Sequence, residues 1–278
     1  MKTLEIIRFE LLYRSKRPVN YIYFVLLFAL AFFFSRLGVK GISEVSVQVK
    51  ENAPLIIHQL TALLNLPLLL ICSAVMGVSV IRDFDVQMEQ LIFTNPISHK
   101  QYLTGRFLGS LIAMLLLSLA IPIGAITGEL ASAKPASDFL PFNPANYLIS
   151  YLIIVFPNTL FLSALFFAGG AISKKAIVIY TQGIILLILI SIADEGVIET
   201  SQNLQLATLF DFYTLQLFNL ETRYWSAAEI NTQLVPITTS IIWNRLIYLS
   251  IGAFALALTY LRFQPSTKGL KTQKVTKS

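Results

Sequence analysis

Long runs of residues without a charge constrain this chain more than any other feature. Six runs hold 16 or more residues: 18–35, 52–81, 107–128, 139–173, 176–193 and 246–261. An α-helix rises 1.5 Å per residue, so crossing about 30 Å of hydrocarbon takes about 20 residues. The first five runs are long enough. The sixth is long enough only if its helix begins before Arg245, near Pro236.

These runs predict helices rather than strands. Backbone groups in lipid must be hydrogen-bonded within the protein, which limits spanning segments to helices and closed β-barrels. Barrel strands alternate polar and apolar residues, and these runs do not. The sequence therefore predicts an all-α integral membrane protein with six transmembrane helices. We expect them at about 19–37, 55–81, 105–127, 147–172, 176–193 and 237–261.

Composition excludes the main soluble classes. Of the 278 residues, 55% are hydrophobic and 13% are charged, against roughly 25% charged in soluble domains. A soluble globular enzyme could not hide so much apolar surface from water. Cys72 has no second cysteine to pair with, and His58 and His99 fall on opposite sides of the predicted membrane. We therefore expect no disulfide, no metal site and no cofactor.

The basic residues predict the orientation. Six spans place both termini on one side, and that side holds 15 of the 21 lysine and arginine residues. The positive-inside rule then places both termini in the cytoplasm. The net charge of +6 reflects this topology, so we expect no nucleic-acid partner. The first span is expected to remain as an anchor, and residues 263–278 to form a basic cytoplasmic tail beside anionic lipid.

Residues 3–17 form a predicted leader helix with two apolar stripes. The stripes consist of Leu4, Ile7 and Leu11 on one side and of Ile6, Phe9 and Tyr13 nearly opposite. Charged residues separate them. A helix that lies on a membrane has one apolar face, so two opposed stripes predict a helix between two partners. One partner would be lipid or the bundle and the other another protein; a plain basic leader is the alternative.

The largest cytoplasmic loop, between the second and third spans, carries helix signals. Asp83 is a candidate N-cap for a short helix over 84–93, which Pro96 would end. Ser98 and Gln101 then match a capping box for a helix that runs into the third span. We expect a cytoplasmic coupling helix, a break and a new helix. A merely solvated loop is the alternative, but it needs no caps.

Three further features concern helix contacts and the outer side. Gly105 and Gly109 would allow close contact with another helix, unless the spacing is chance. Residues 194–235 are too apolar for a solvated loop and are expected to dip into the membrane or cover the outer end of the bundle. Arg245 is a charge within a predicted span and so a functional candidate. We favour a structural role for it, by snorkelling or by pairing with Glu229.

Several function classes lack their signatures here. The chain has no G-x-x-x-x-G-K-[ST] phosphate-binding loop, so it is not expected to hydrolyse ATP. An ion-coupled carrier or channel would normally have acidic residues within its spans. An intramembrane enzyme would need clustered Ser, His and Asp side chains or metal ligands. Neither pattern is present.

Three sets of residues stand in a characteristic order along the chain. They are Arg8-Phe9-Glu10-Leu11, Tyr13-Arg14 and Arg17-Pro18; then Arg82-Asp83, Asn95-Pro96-Ile97-Ser98 and Tyr102-Leu103-Thr104-Gly105-Arg106; then Arg223-Tyr224-Trp225, Glu229, Asn231 and Asn244-Arg245. In this order the chain resembles the permease subunit of bacterial type-2 ABC exporters. In the last set the chain is similar to a group of bacterial permeases that is sometimes fused to a zinc-aminopeptidase-like domain. The HExxH signature of that domain is absent, so no peptidase activity is implied.

The resemblance implies a transport subunit, not an enzyme, with residues 1–262 as the permease domain. Two permease halves, identical or different, would pair in the bacterial cytoplasmic membrane, and a cytoplasmic ABC ATPase subunit would drive them. The ATPase contact would be formed by Arg8, Glu10, Tyr13, Arg14, Arg82, Asp83, Glu89, Pro96, Ser98, Tyr102 and Arg106, and an intramembrane or outer gate by Trp225, Glu229, Asn231 and Arg245. The alternative is an ion-coupled carrier or channel not driven by ATP.

Overall fold

The computed structural model describes residues 2–38, 48–85, 97–192, 209–234 and 236–263, and this part of the chain is helical without strands. The α-helices are α1 Lys2–Ser15, α2 Pro18–Leu37, α3 Pro54–Leu63, α4 Asn65–Asp85, α5 His99–Ser118, α6 Ala120–Leu130, α7 Pro144–Ser150, α8 Phe156–Ser173, α9 Ala176–Ile192, α10 Leu215–Thr222, α11 Ala227–Thr232 and α12 Thr239–Arg262. A 3₁₀ turn, Ala136–Asp138, precedes α7, and a π-helical turn, Tyr151–Val155, joins α7 to α8.

Five helical segments are long and apolar enough to cross a membrane. They are Pro18–Leu37, Pro54–Asp85, His99–Leu130, Pro144–Ser173 and Thr239–Arg262. The predicted all-α class is thereby confirmed for the described residues, and the five segments are compatible with a multi-pass membrane protein. The count of six spans stays a prediction. The fifth predicted span corresponds to α9, which is apolar but has only 17 residues. That length gives roughly 26 Å, slightly less than the hydrocarbon core.

Three of the long segments change helix geometry along their length. Proline cannot donate a backbone hydrogen bond and clashes with the preceding turn. The α3–α4 junction lies just before Pro67, the α5–α6 junction just before Pro122, and the π-helical turn just before Pro157. At the first of these, the Asn65 side chain donates to the Thr61 carbonyl at 2.9 Å. The break is thus stabilised by a side chain within the bundle.

Small residues bring the helices close together. A Cβ at Gly124 would lie 2.5 Å from the Phe28 carbonyl oxygen, so α6 packs directly on the backbone of α2. The predicted close contact at Gly105 and Gly109 is confirmed, because a Cβ at either position would lie 2.7 Å from a side-chain carbon of α1. The partner of α5 at this contact is therefore the leader helix.

The described part of residues 194–235 folds onto α3. Leu217 and Phe218 of α10 are buried in a cluster with Leu55 and Ala62. The ring of Phe218 meets the ring of His58 edge to face, with centroids 5.3 Å apart. α10 thus covers the start of the second long segment.

The start of the predicted coupling helix needs a correction. Asp83 was expected to cap a new helix from residue 84, but α4 continues through Asp85. The Asp83 carboxylate cannot cap there, because it accepts hydrogen bonds from α5 instead. Residues 86–96, which include Glu89 and Pro96, lie outside the described residues. The capping box is confirmed: Ser98 Oγ accepts from Gln101 N at 3.2 Å, and Gln101 Oε1 accepts from Ser98 N at 3.1 Å.

Candidate functional site

A buried carboxylate on the leader helix is surrounded by arginines from three helices. Glu10 is fully buried. Its carboxylate accepts from Arg14 Nε at 2.8 Å, from Arg82 Nη2 at 2.8 Å and from Arg106 Nη1. The Ser110 hydroxyl adds a weaker contact at 3.3 Å. One side chain therefore ties α1 to the end of α4 and to the first half of α5.

A second carboxylate extends this ion network. Asp83 accepts from the Tyr102 hydroxyl at 2.7 Å and from Arg106 Nη2 at 2.8 Å. Because Arg106 also bonds Glu10, its guanidinium bridges the two carboxylates. The ion network, defined as Glu10, Arg14, Arg82, Asp83 and Arg106, has three positive and two negative side chains.

Opposing forces act on the charge of Glu10. Burial alone would raise the pKa of its carboxyl. The guanidinium groups of Arg14, Arg82 and Arg106 outweigh burial and hold the pKa below its ordinary value. Burial lowers the pKa of Arg14, although the neighbouring Glu10 carboxylate opposes this shift. Arginine nevertheless remains charged at neutral pH. Glu10 and Arg14 are therefore both charged near neutral pH.

The local sequence explains how α1 reaches this position. Glu10 and Arg14 stand four residues apart and so share one face of the helix. The glycines of α5 leave room for that face. The buried face of α1 thus runs through charged residues, whereas they were expected to separate two apolar stripes. Leu4 and Phe9, one from each expected stripe, are 70% and 56% exposed.

Most residues predicted for the ATPase contact lie close together in the structure, where they bond to one another. Glu10, Arg14, Arg82, Asp83, Tyr102 and Arg106 all belong to the ion network or bond to it. Tyr13 lies beside the network, with the Arg82 guanidinium 3.8 Å from its ring centroid. Arg8 is exposed and Ser98 caps α5. The sequence reasoning missed Ser110, whose only signal was a polar residue within an apolar run.

The residues predicted for an outer gate do not form one site. Glu229 closes a capping box with Ser226. The hydrogen bonds from Ser226 lower the pKa of the Glu229 carboxyl. Asn231 binds the backbone of a separate loop, accepting from Lys50 N at 2.8 Å. The Trp225 backbone N–H donates to the Thr222 carbonyl. One of the two structural roles expected for Arg245, a pair with Glu229, is wrong, because Arg245 is buried and donates to Asn158 instead.

Arg245 is buried between helices beside polar side chains. It is 8% exposed, and its Nη1 donates to Asn158 Oδ1. Asn158 in turn donates to Asn65 Oδ1 at 3.2 Å. Among the described residues no hydrogen-bond partner meets Arg245 Nε or Nη2. The two asparagines connect Arg245 to the broken second segment.

The described residues contain no group of His, Cys, Asp and Glu able to hold a metal. No family model and no curated protein matches the chain.

Proposed function

We propose that this chain is the membrane-spanning permease subunit of an ATP-driven ABC exporter. In this proposal α9 is a sixth span and both termini are cytoplasmic. A separate ATPase subunit docks on the face that carries α1 and residues 82–106. A second permease half, identical or different, completes the transporter in a bacterial cytoplasmic membrane.

The observation that supports the proposal most is the position of the ion network. It joins the leader to Asp83, just before the loop between the second and third long segments. It also joins the leader to Tyr102 and Arg106, just after that loop. A loop with both ends tied to one helix moves together with that helix. This arrangement suits a surface that couples an ATPase to spanning helices, because conformational coupling needs elements with discrete packings.

The exposed side of α1 offers a surface for the partner. Leu4, Phe9 and Leu12 are 70%, 56% and 51% exposed, respectively. Leu4 and Leu12 point away from the face that packs on α5, whereas Phe9 lies at its edge, with the Arg106 guanidinium 5.3 Å from its ring centroid. In the proposal they meet the ATPase, and the buried ionic residues hold the helix in place for that contact. Of the predicted contact residues on α1, Glu10 and Arg14 thus belong to the buried support, and Arg8 lies on the exposed side with these apolar residues.

The proposal is tested by purifying the affinity-tagged chain from its native membrane in mild detergent and assaying ATP hydrolysis. We expect a separate ATP-binding subunit to co-purify and to account for all hydrolysis. Leu12→Asp should reduce co-purification without changing the thermal unfolding midpoint. Tyr224→Asp, which changes an 83% exposed residue on the predicted outer side, is the matched control. Hydrolysis by the chain alone, or full co-purification of Leu12→Asp, would overturn the proposal.

Arg245 favours one alternative, an ion-coupled carrier or channel. A buried arginine with two nitrogens unpartnered among the described residues could bind an anion within the bundle. This alternative predicts that proteoliposomes containing the chain alone dissipate an anion gradient without ATP, and that Arg245→Gln abolishes the flux. Absence of flux from the isolated chain would favour the permease.

A further inference from the structure

A cavity of about 240 Å³ lies where the leader meets the first two long segments. The end of α1, the start of α2 and the second half of α4 form its walls. Its polar lining includes Tyr13, Arg17 and Arg82, and its apolar lining includes Val19, Ala74 and Val78. The cavity therefore has a basic part and an apolar part.

Two guanidinium groups meet in the basic part. Those of Arg17 and Arg82 lie 4.6 Å and 3.8 Å from the ring centroid of Tyr13. Arg82 gives one hydrogen bond to Glu10. The Arg17 guanidinium makes no hydrogen bond or ion pair with a described side chain. Since a guanidinium has five N–H donors, several donors remain for a ligand.

The charge balance favours an anion in this cavity. Arg17 adds a fourth arginine to the ion network, whose three arginines face two carboxylates. Two like charges beside one ring repel each other, and an anion between them would relieve that repulsion. The 20-residue helix α2 also begins here, at Pro18, without a side-chain cap. Its N-terminus contributes further positive potential.

The apolar part of the cavity indicates which kind of molecule bears the anionic group. Val19 at its rim is 48% exposed, and α2 continues with Ile22 at 59%. An acyl chain could follow this surface while its headgroup occupies the basic part. Free phosphate would leave the apolar wall bare. Basic pockets between spanning helices are suited to anionic lipid headgroups.

We propose that this cavity binds an anionic phospholipid, with Arg17 and Arg82 at the phosphate and Val19, Ala74 and Val78 along the acyl chain. The site lies at the N-terminal end of α2, where lipid headgroups would meet hydrocarbon if α2 is the first span. It requires that the chain is embedded in a membrane but does not depend on the transport function proposed above.

The test is a lipid titration of the detergent-solubilised full chain, with bound lipid followed by native mass spectrometry. The probes are dioctanoyl phosphatidylglycerol, dioctanoyl phosphatidylcholine, inorganic phosphate and glycerol phosphate. We expect phosphatidylglycerol to bind most tightly and neither free phosphate compound to displace it at equal concentration. Arg17→Gln should weaken that binding about fivefold, and Arg17→Lys should weaken it less. Arg262→Gln, at the exposed end of α12, is the matched control.

Three outcomes would overturn the proposal. The first is equal binding of the two lipids, and the second is equal binding by Arg17→Gln. The third is full competition by inorganic phosphate, which would assign the cavity to a free anion. Because Arg17 forms no ion pair with described residues, its variants should fold. An unchanged thermal unfolding midpoint without lipid checks this.

Discussion

At the scale of single residues, the attachment of the leader helix α1 to α4 and α5 depends on Glu10. Its carboxylate is buried among three guanidinium groups that belong to α1, α4 and α5. Removing one member of a buried ionic group leaves charges unpaired, which costs about 3–5 kcal/mol. The stability of the ion network is therefore sensitive to the loss of a single charged side chain, even if a fully apolar contact would be equally stable.

Glu10→Gln is expected to lower stability by about 3 kcal/mol or more, because three arginines would then share only Asp83. The thermal unfolding midpoint in detergent measures the effect. Glu5→Gln is the control, since Glu5 lies exposed on the same helix. Equal midpoints for the two variants would show that the network does not stabilise the fold.

The charge of Glu10 also predicts a response to acid. Its pKa is lowered in the folded protein from an ordinary value of 4.5. Its stabilisation is therefore fully present above that value and is lost as the pH falls through the lower folded value. A fluorophore on Leu12→Cys in a Cys72→Ala background should report release of α1 only in strong acid. Adding Glu10→Gln should flatten this transition; an unchanged transition would implicate other groups.

At the scale of elements, the sequence predicted what depends on local pattern. The Ser98–Gln101 capping box is confirmed because both partners lie within one turn. The position of Glu10 could not be predicted, because its partner Arg106 stands 96 residues away. Helical periodicity placed the charged residues of α1 between two apolar stripes, and it cannot reveal a guanidinium supplied by another helix. The long spans were predictable because their length and lack of charge suffice.

The contact of α1 with α5 predicts that a larger side chain at Gly109 will separate them. A Cβ there would lie 2.7 Å from the Glu10 Cβ. Gly109→Val should therefore destabilise the protein by about 1–3 kcal/mol and make α1 more accessible to protease. Ile112→Val, on an exposed part of α5, is the control. Unchanged protease resistance of Gly109→Val would contradict this close packing of α1 on α5.

At the scale of the whole molecule, α9 decides the topology. Five long segments alone would put the termini on opposite sides, whereas a crossing α9 puts them on the same side. One face of α9 contacts α4: a Cβ at Gly77 would clash with Ile179, and a Cβ at Gly183 would lie 3.3 Å from Ser73 Oγ. Its other face is apolar and exposed, with Ile184 at 57% and Leu189 at 57%. A slightly short helix can still span, because the bilayer thins locally around it.

We therefore expect α9 to cross the membrane, and labelling of single cysteines in intact cells tests this. In a Cys72→Ala background, Ser46→Cys and Ser201→Cys should react with a membrane-impermeant maleimide, and Ser278→Cys should react only after the cells are opened. The basic residues predict this pattern, because an inside location of the tail places 15 of 21 of them in the cytoplasm. Protection of Ser201→Cys together with labelling of Ser46→Cys would mean that α9 does not cross. Labelling of Ser278→Cys in intact cells would place the C-terminus outside. If α1 still carried the cytoplasmic ATPase dock, the two ends of the chain would then lie on different sides of the membrane.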